Sequence, residues 1–116
     1  LSIRRQRQMC IRDSHANLRI DRTESSGQLD AQDPAPGYDG PISPNAQYPE
    51  GHFLGWPPGQ LPPLADPGMA WRLEPGSDLV IQLHMQSTGR PESLQASVGL
   101  FFTDEPPQRT PVMVRL

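Results

Sequence analysis

The chain has 116 residues, enough for one domain, and its net charge is −3, with ten arginines and no lysine. The acidic balance argues against nucleic acid as a partner, and no apolar run approaches the ~20 residues of a membrane span. Prolines and glycines number 15 and 10. The chain is therefore rich in loops, but its strand-like apolar runs indicate an all-β domain rather than disorder.

The first fourteen residues differ in character from the rest. The run from Arg4 to Ser14 has no apolar period, and it resembles the translation of a tagmentation sequencing adaptor over ten consecutive residues. The alternative is a basic arm for nucleic acid or membrane. We expect 1–14, which contains Cys10, to be non-native and exclude it from fold reasoning. The remainder, 15–116, has six basic and twelve acidic residues, a net charge of −6, and no cysteine.

A short strand is predicted at 15–21, where polar and apolar residues alternate with a period of two. One face carries Ala16, Leu18 and Ile20, and the other carries His15, Asn17 and Arg19. The polar stretch 22–32 follows as a loop or a weak helical turn.

A long connector is predicted from 33 to 67. It contains ten prolines, which remove ladder donors and exclude central strands. It also carries apolar side chains that can pack against the face of a sheet, namely Tyr38, Tyr48, Phe53, Leu54 and Trp56.

Four further strands are predicted, at 69–73, 79–85, 96–103 and 111–116. The second is predicted to be buried and to have one apolar face, formed by Leu79, Ile81, Leu83 and Met85. The third is almost wholly apolar, which predicts a central strand. Short strands separated by Pro/Gly turns indicate an antiparallel β-sandwich or jelly roll.

His84 lies on the polar face of the strand 79–85, together with Gln82 and Val80. A strand that holds an imidazole toward a cleft is suited to carry a metal ligand. The alternative is a single surface or half-buried histidine, and this strand by itself does not decide between them.

Four segments between Phe53 and Thr103 resemble the copper type II, ascorbate-dependent monooxygenases, which include the peptidyl-glycine and dopamine hydroxylating enzymes and bacterial relatives. In order they read WPPG (56–59), PGMAW (67–71), DLVIQLH (78–84) and SVGLFFT (97–103). The resemblance implies the family's N-terminal copper domain. The predicted fold is therefore a jelly-roll-type antiparallel β-sandwich, truncated at both ends, with the long Pro-rich connector inside it.

In this family one copper is held by an adjacent His-His pair and by a third histidine in an apolar-Gln-apolar-His context. The third maps to His84, and the pair maps to position 14 and His15. Because the adaptor ends inside codon 14, we expect a native histidine where Ser14 stands. Gln82 and Asn17 share the faces of the two histidines and are candidates to orient their rings.

The resemblance also implies what the full enzyme does. A second copper domain, outside this chain, binds oxygen and hydroxylates a C–H bond of a small-molecule or peptide substrate, and ascorbate reduces both coppers. This chain would then bind one copper without hydroxylating anything by itself. The family implies a periplasmic or secreted location. The absence of cysteine differs from the disulfide-linked animal enzymes and favours a bacterial type.

Other residues have weaker claims to function. His52 is interpreted as a structural or solvated loop residue rather than an extra ligand, and Met85 and Met113 as packing residues. The carboxylates Asp21, Asp30, Asp33 and Asp39 lack the spacing of a calcium loop. The competing function is a non-catalytic β-sandwich module that binds a ligand or another domain through the aromatic connector.

Overall fold

The computed structural model describes residues 12–61, 65–91 and 93–114, the first three of them by their backbone. Most of the predicted adaptor segment 1–14 lies outside these residues. The elements in chain order are strand β1 (Arg12–Asp21), helix α1 (Ser25–Gln32), strand β2 (Gly55–Trp56) and strand β3 (Asp78–Gln86).

The three strands form one antiparallel sheet in the order β2-β1-β3. β1 is its central strand and pairs with β3 along nearly its whole length, from Arg12 opposite Gln86 to Asp21 opposite Asp78. One antiparallel sheet with a single short helix confirms the all-β class. The strand predicted at 15–21 is also confirmed, and it begins three residues earlier, at Arg12.

The core lies on one face of β1, as the alternation predicts. Ala16, Leu18 and Ile20 are buried, and Leu18 is only 2% exposed. On the edge of β1 away from β3, the N–H groups of Leu18 and Ile20 donate to the carbonyls of Leu54 and Gln47, both at 2.8 Å. β1 is therefore bonded along both edges, and its three apolar residues, together with Ala46, form the buried core of the described chain.

β3 confirms the strand predicted at 79–85, but the prediction that its apolar face is buried was wrong. The exposed fractions of Leu79, Ile81 and Leu83 are 36–40%, and that of Met85 is 57%. These side chains share a face with the buried residues of β1, since Leu83 lies opposite Ala16. They differ from them because β3 is at the edge of the sheet and borders an open groove.

The strands predicted at 69–73, 96–103 and 111–116 are not formed in the part of the chain that the structure describes, which ends at residue 114. Phe101 and Phe102 are 74% and 79% exposed, so 96–103 is not a central strand. Met113 is also exposed, so its predicted core role was wrong. A segment with high strand propensity, such as 96–103, does not form a strand unless another strand pairs with it.

Residues 108–109 are held instead by contacts with the turn at 67–68. The carbonyl of Gly68 accepts from the backbone N–H groups of Gln108 and Arg109, at 2.9 and 3.0 Å. The Arg109 guanidinium donates to the carbonyl of Pro67 at 3.0 Å. These bonds close the long segment 69–107, which contains β3.

The polar stretch 22–32, predicted as a loop or a weak helical turn, contains the eight-residue helix α1. Its start is fixed by a buried carboxylate. Asp21 is 0% exposed and accepts from the backbone N–H groups of Thr23 and Ser26, each at 2.8 Å. The hydroxyls of Thr23, Ser25 and Ser26 also donate to it, at 2.6–2.7 Å. The last residue of β1 thus supplies the partner that a free helix N–H needs.

These donors also set the charge of Asp21. Burial by itself raises the pKa of a carboxyl, but the hydrogen bonds from Thr23, Ser26 and Ser25 stabilise the charged form and outweigh it. The pKa of Asp21 therefore lies well below its ordinary value of 3.8.

The connector predicted at 33–67 lies along the second edge of β1 and contributes β2. Its prolines limit that strand to two residues, in agreement with the prediction that it forms no central strand. Its aromatic residues pack in part: the Arg19 guanidinium lies 4.5 Å from the centre of the Tyr48 ring, and the Tyr48 and Phe53 ring centres are 5.0 Å apart. Phe53 itself remains largely exposed.

The substitution Asp21→Asn is expected to lower the free energy of unfolding by about 2–3 kcal/mol at pH 7, since an amide leaves buried donors without an acceptor. Because the folded pKa is lowered, the contribution of the carboxylate is complete above pH 3.8 and is lost as the pH falls below it. Urea titrations from pH 7 to pH 2 should therefore show the two proteins converging in stability. The exposed control Asp104→Asn should match the parent at pH 7, and an equal loss in both variants would contradict the assignment.

A second substitution tests how the end of the chain packs. Gly51 has a φ of +68°, and a Cβ at this position would overlap the backbone carbonyl of Pro111. Gly51→Ala is expected to cost more than about 1 kcal/mol of stability, through both strain and overlap. Gly59 has a φ of +89° and open space around it, so Gly59→Ala carries the strain alone. Equal losses in the two alanine variants, measured by urea unfolding, would contradict the contact with Pro111.

Candidate metal centre

The ladder between β1 and β3 places His15 directly opposite His84. Their rings are stacked, with centres 4.1 Å apart and planes inclined by 24°. His15 is half-buried and His84 is exposed. The two predicted metal-site residues, 69 positions apart in sequence, are thus neighbours on the same face of the sheet.

A register shift in β1 lies beside this pair. Asp13 is opposite Met85 and His15 is opposite His84, so Ser14 is an extra residue in β1. In a regular strand, consecutive side chains point to opposite faces, and a pair of adjacent histidines could not reach one ion. A bulge sets two residues against one and re-aims a side chain. The irregularity falls at the position where the resemblance predicts a native histidine.

The next position on the same face holds the two residues predicted to orient the rings. Asn17 and Gln82 lie opposite each other in the ladder, two residues from His15 and His84 respectively. Both are half-buried. Each of them is thus a neighbour of its histidine along the strand on that face.

The histidine pair alone is an incomplete donor set. No group of three or more His, Cys, Asp or Glu side chains suited to a metal ion occurs among the residues that the structure describes. The lone pair of an imidazole lies in the plane of its ring, so two nearly parallel rings do not aim at one point. Binding a shared ion therefore requires the rings to rotate about their side-chain torsions.

His52 lies apart from this pair and has a structural role. Its Nδ1 is 2.7 Å from the carbonyl oxygen of Glu50, and its Nε2 is 2.8 Å from that of Met69. Carbonyl oxygens accept hydrogen bonds, so the ring links the turn at 49–52 to the segment at 69.

An open groove of about 880 Å³ lies along β3, and the sequence did not predict it. One wall is β3, and the other is α1 with the loop 33–42. Asp30, Asp33 and Asp39 line it together with Asp78, whereas Asp21 is buried in the turn before α1. The acidic residues between 30 and 39 could have indicated this groove from the sequence. Because β3 was expected to be buried, they were not connected with an open surface along that strand.

Comparison with known proteins does not place the chain in a family. No family model matches the chain, and no curated protein or solved structure matches it either. Within the described residues, none of the helical structure has the length and apolar character required to cross a membrane.

Proposed function

We propose that this chain is part of the electron-donating copper domain of a type II copper monooxygenase. The observation that supports the proposal most directly is the pairing of His15 with His84 across β1 and β3, with ring centres 4.1 Å apart. Two histidines from strands distant in sequence give a site fixed by the sheet rather than by a flexible loop.

The residues of the chain fit two of the three ligands that such a copper requires. His15 and His84 supply imidazole nitrogens, which suit copper. A histidine in place of Ser14, at the irregularity in β1, would complete the set. Asn17 and Gln82 would hold the rings in orientation from the next position of the ladder. Bound copper would supply a one-electron redox centre to the enzyme.

The remaining parts of the proposal extend beyond the described sheet. The parent domain is a jelly-roll β-sandwich, and a second copper domain of the parent chain carries the oxygen chemistry on a small-molecule or peptide substrate. Ascorbate is the reductant, and the location is periplasmic or secreted. All of these rest on the resemblance of segments 56–59, 67–71, 78–84 and 97–103 to the family.

A non-catalytic β-sandwich binding module is the second candidate function. The open groove along β3 favours it, because an exposed apolar strand edge beside a cleft is a common site of peptide recognition. This candidate needs neither copper nor a histidine at position 14.

Copper affinity separates the two candidates. In the variant Ser14→His, we expect binding of Cu(I) in competition with a chromogenic chelator, and the added change His84→Ala should weaken it at least about 100-fold. Loss of a ligand costs more than the 10–100-fold that loss of a ligand-orienting partner costs. The parent chain, with two histidines, should bind more weakly than Ser14→His.

The control is Ser14→His with His52→Ala, because His52 bonds to backbone carbonyls away from the pair. This control should keep the affinity of Ser14→His. Equal affinity with and without His84 would remove the copper site and leave the binding module as the function.

A further inference from the structure

The groove along β3 has the form of a docking site for an extended chain. β3 is nine residues long and pairs with β1 on one side, and no described strand pairs with its other side. Consecutive residues of β3, from Asp78 to Met85, line the groove, so it follows the outer edge of the strand rather than one face. An unpaired edge offers a row of N–H and C=O groups to an added strand.

The β3 wall of this groove carries an apolar row. Leu79, Ile81, Leu83 and Met85 are exposed at a spacing of two residues, and Ile42 lies on the opposite wall. A row with this spacing matches the side-chain repeat of an extended peptide, which presents alternate residues to one side.

The opposite wall and the start of β3 are acidic. Four carboxylates line the groove, those of Asp30, Asp33, Asp39 and Asp78, and no arginine or lysine is among the lining residues. Three of them are positioned by backbone N–H donors at 2.8–3.1 Å, those of Gly37, Ala35 and Gly27. A carboxylate accepts about four hydrogen bonds, so each retains capacity for a cationic partner.

We propose that this groove binds an extended peptide segment with arginine or lysine at alternate positions, which adds to the free edge of β3 as a strand. The aliphatic stems of the basic side chains cover the exposed apolar row, and their charged ends reach the carboxylates of the opposite wall. The peptide backbone completes the ladder of β3.

Charge distinguishes this occupant from a second copy of the chain. A second β3 would bring its own Asp78 and acidic wall against the first, and like charges in close contact are repulsive. A basic segment has the complementary charge. The proposal needs no copper, but the groove and the proposed copper site share His84, so the test is made without metal.

The test uses the full chain without metal and a nine-residue peptide of alternating valine and arginine, with both termini blocked. Calorimetry at low salt should detect binding that weakens as salt increases, because exposed ion pairs are screened. The matched peptide with glutamate in place of arginine should not bind. Methylation of alternate backbone nitrogens of the arginine peptide, in one of the two possible sets, should weaken its binding at least tenfold.

Two protein variants locate the binding site. Asp33→Asn with Asp39→Asn should weaken the arginine peptide about three- to tenfold, as expected for two partly exposed ion pairs. Asp104→Asn with Glu105→Gln removes the same charge outside the groove and should leave the affinity unchanged. Absence of binding, equal binding of the glutamate peptide, equal effects of the two protein variants, or no effect of either methylation set would overturn the proposal. A dimer that forms through β3, detected by light scattering, would overturn it as well.

Discussion

The antiparallel register between β1 and β3 is the constraint on which the rest of this structure depends. It brings Ala16, Leu18 and Ile20 to one face and His15 to the other, opposite His84. A slip of one residue would exchange the two faces of β1, exposing the core and separating the stacked rings. The burial of Leu18 on one side therefore protects the histidine pair on the other, and the stability of the sheet and the geometry of the candidate metal centre have a common origin.

The end of β1 extends this constraint to the rest of the molecule. Asp21 and Asp78 lie opposite each other in the ladder, and each accepts a backbone N–H from the first turn of α1, that of Ser26 and that of Gly27. Gly27 is suited to its place, because a Cβ there would lie 3.1 Å from the Asp78 carboxylate. These bonds fix α1 beside β3, so the same sheet end that orders the helix also shapes the acidic groove.

What the sequence predicted correctly was local alternation. The periods of β1 and β3 gave both strands and the faces of their histidines, because side-chain direction in a strand depends only on position along it. Strand pairing and the burial of a strand face depend on residues distant in sequence, and here the predictions were wrong. Segment 96–103 has strand propensity but pairs with no described strand. The apolar face of β3 is exposed rather than buried. Helix α1 was not predicted firmly, because it is polar throughout and held by Asp21 rather than by an apolar face. The assignment of copper to His15 and His84 stays a prediction.

The two hydrogen bonds that the Gly68 carbonyl accepts, from the N–H groups of Gln108 and Arg109, bear on what happens if the chain is cleaved. The largely exposed segment 93–107 lies between β3 and the residues that bond to Gly68. Such segments are preferred sites of proteolytic nicking. A cut there would leave two pieces with no disulfide between them, since the chain has one cysteine. The carboxy-terminal piece would then be retained only by non-covalent contacts, chiefly those of Gln108 and Arg109 with the turn at 67–68, and mild denaturant would release it.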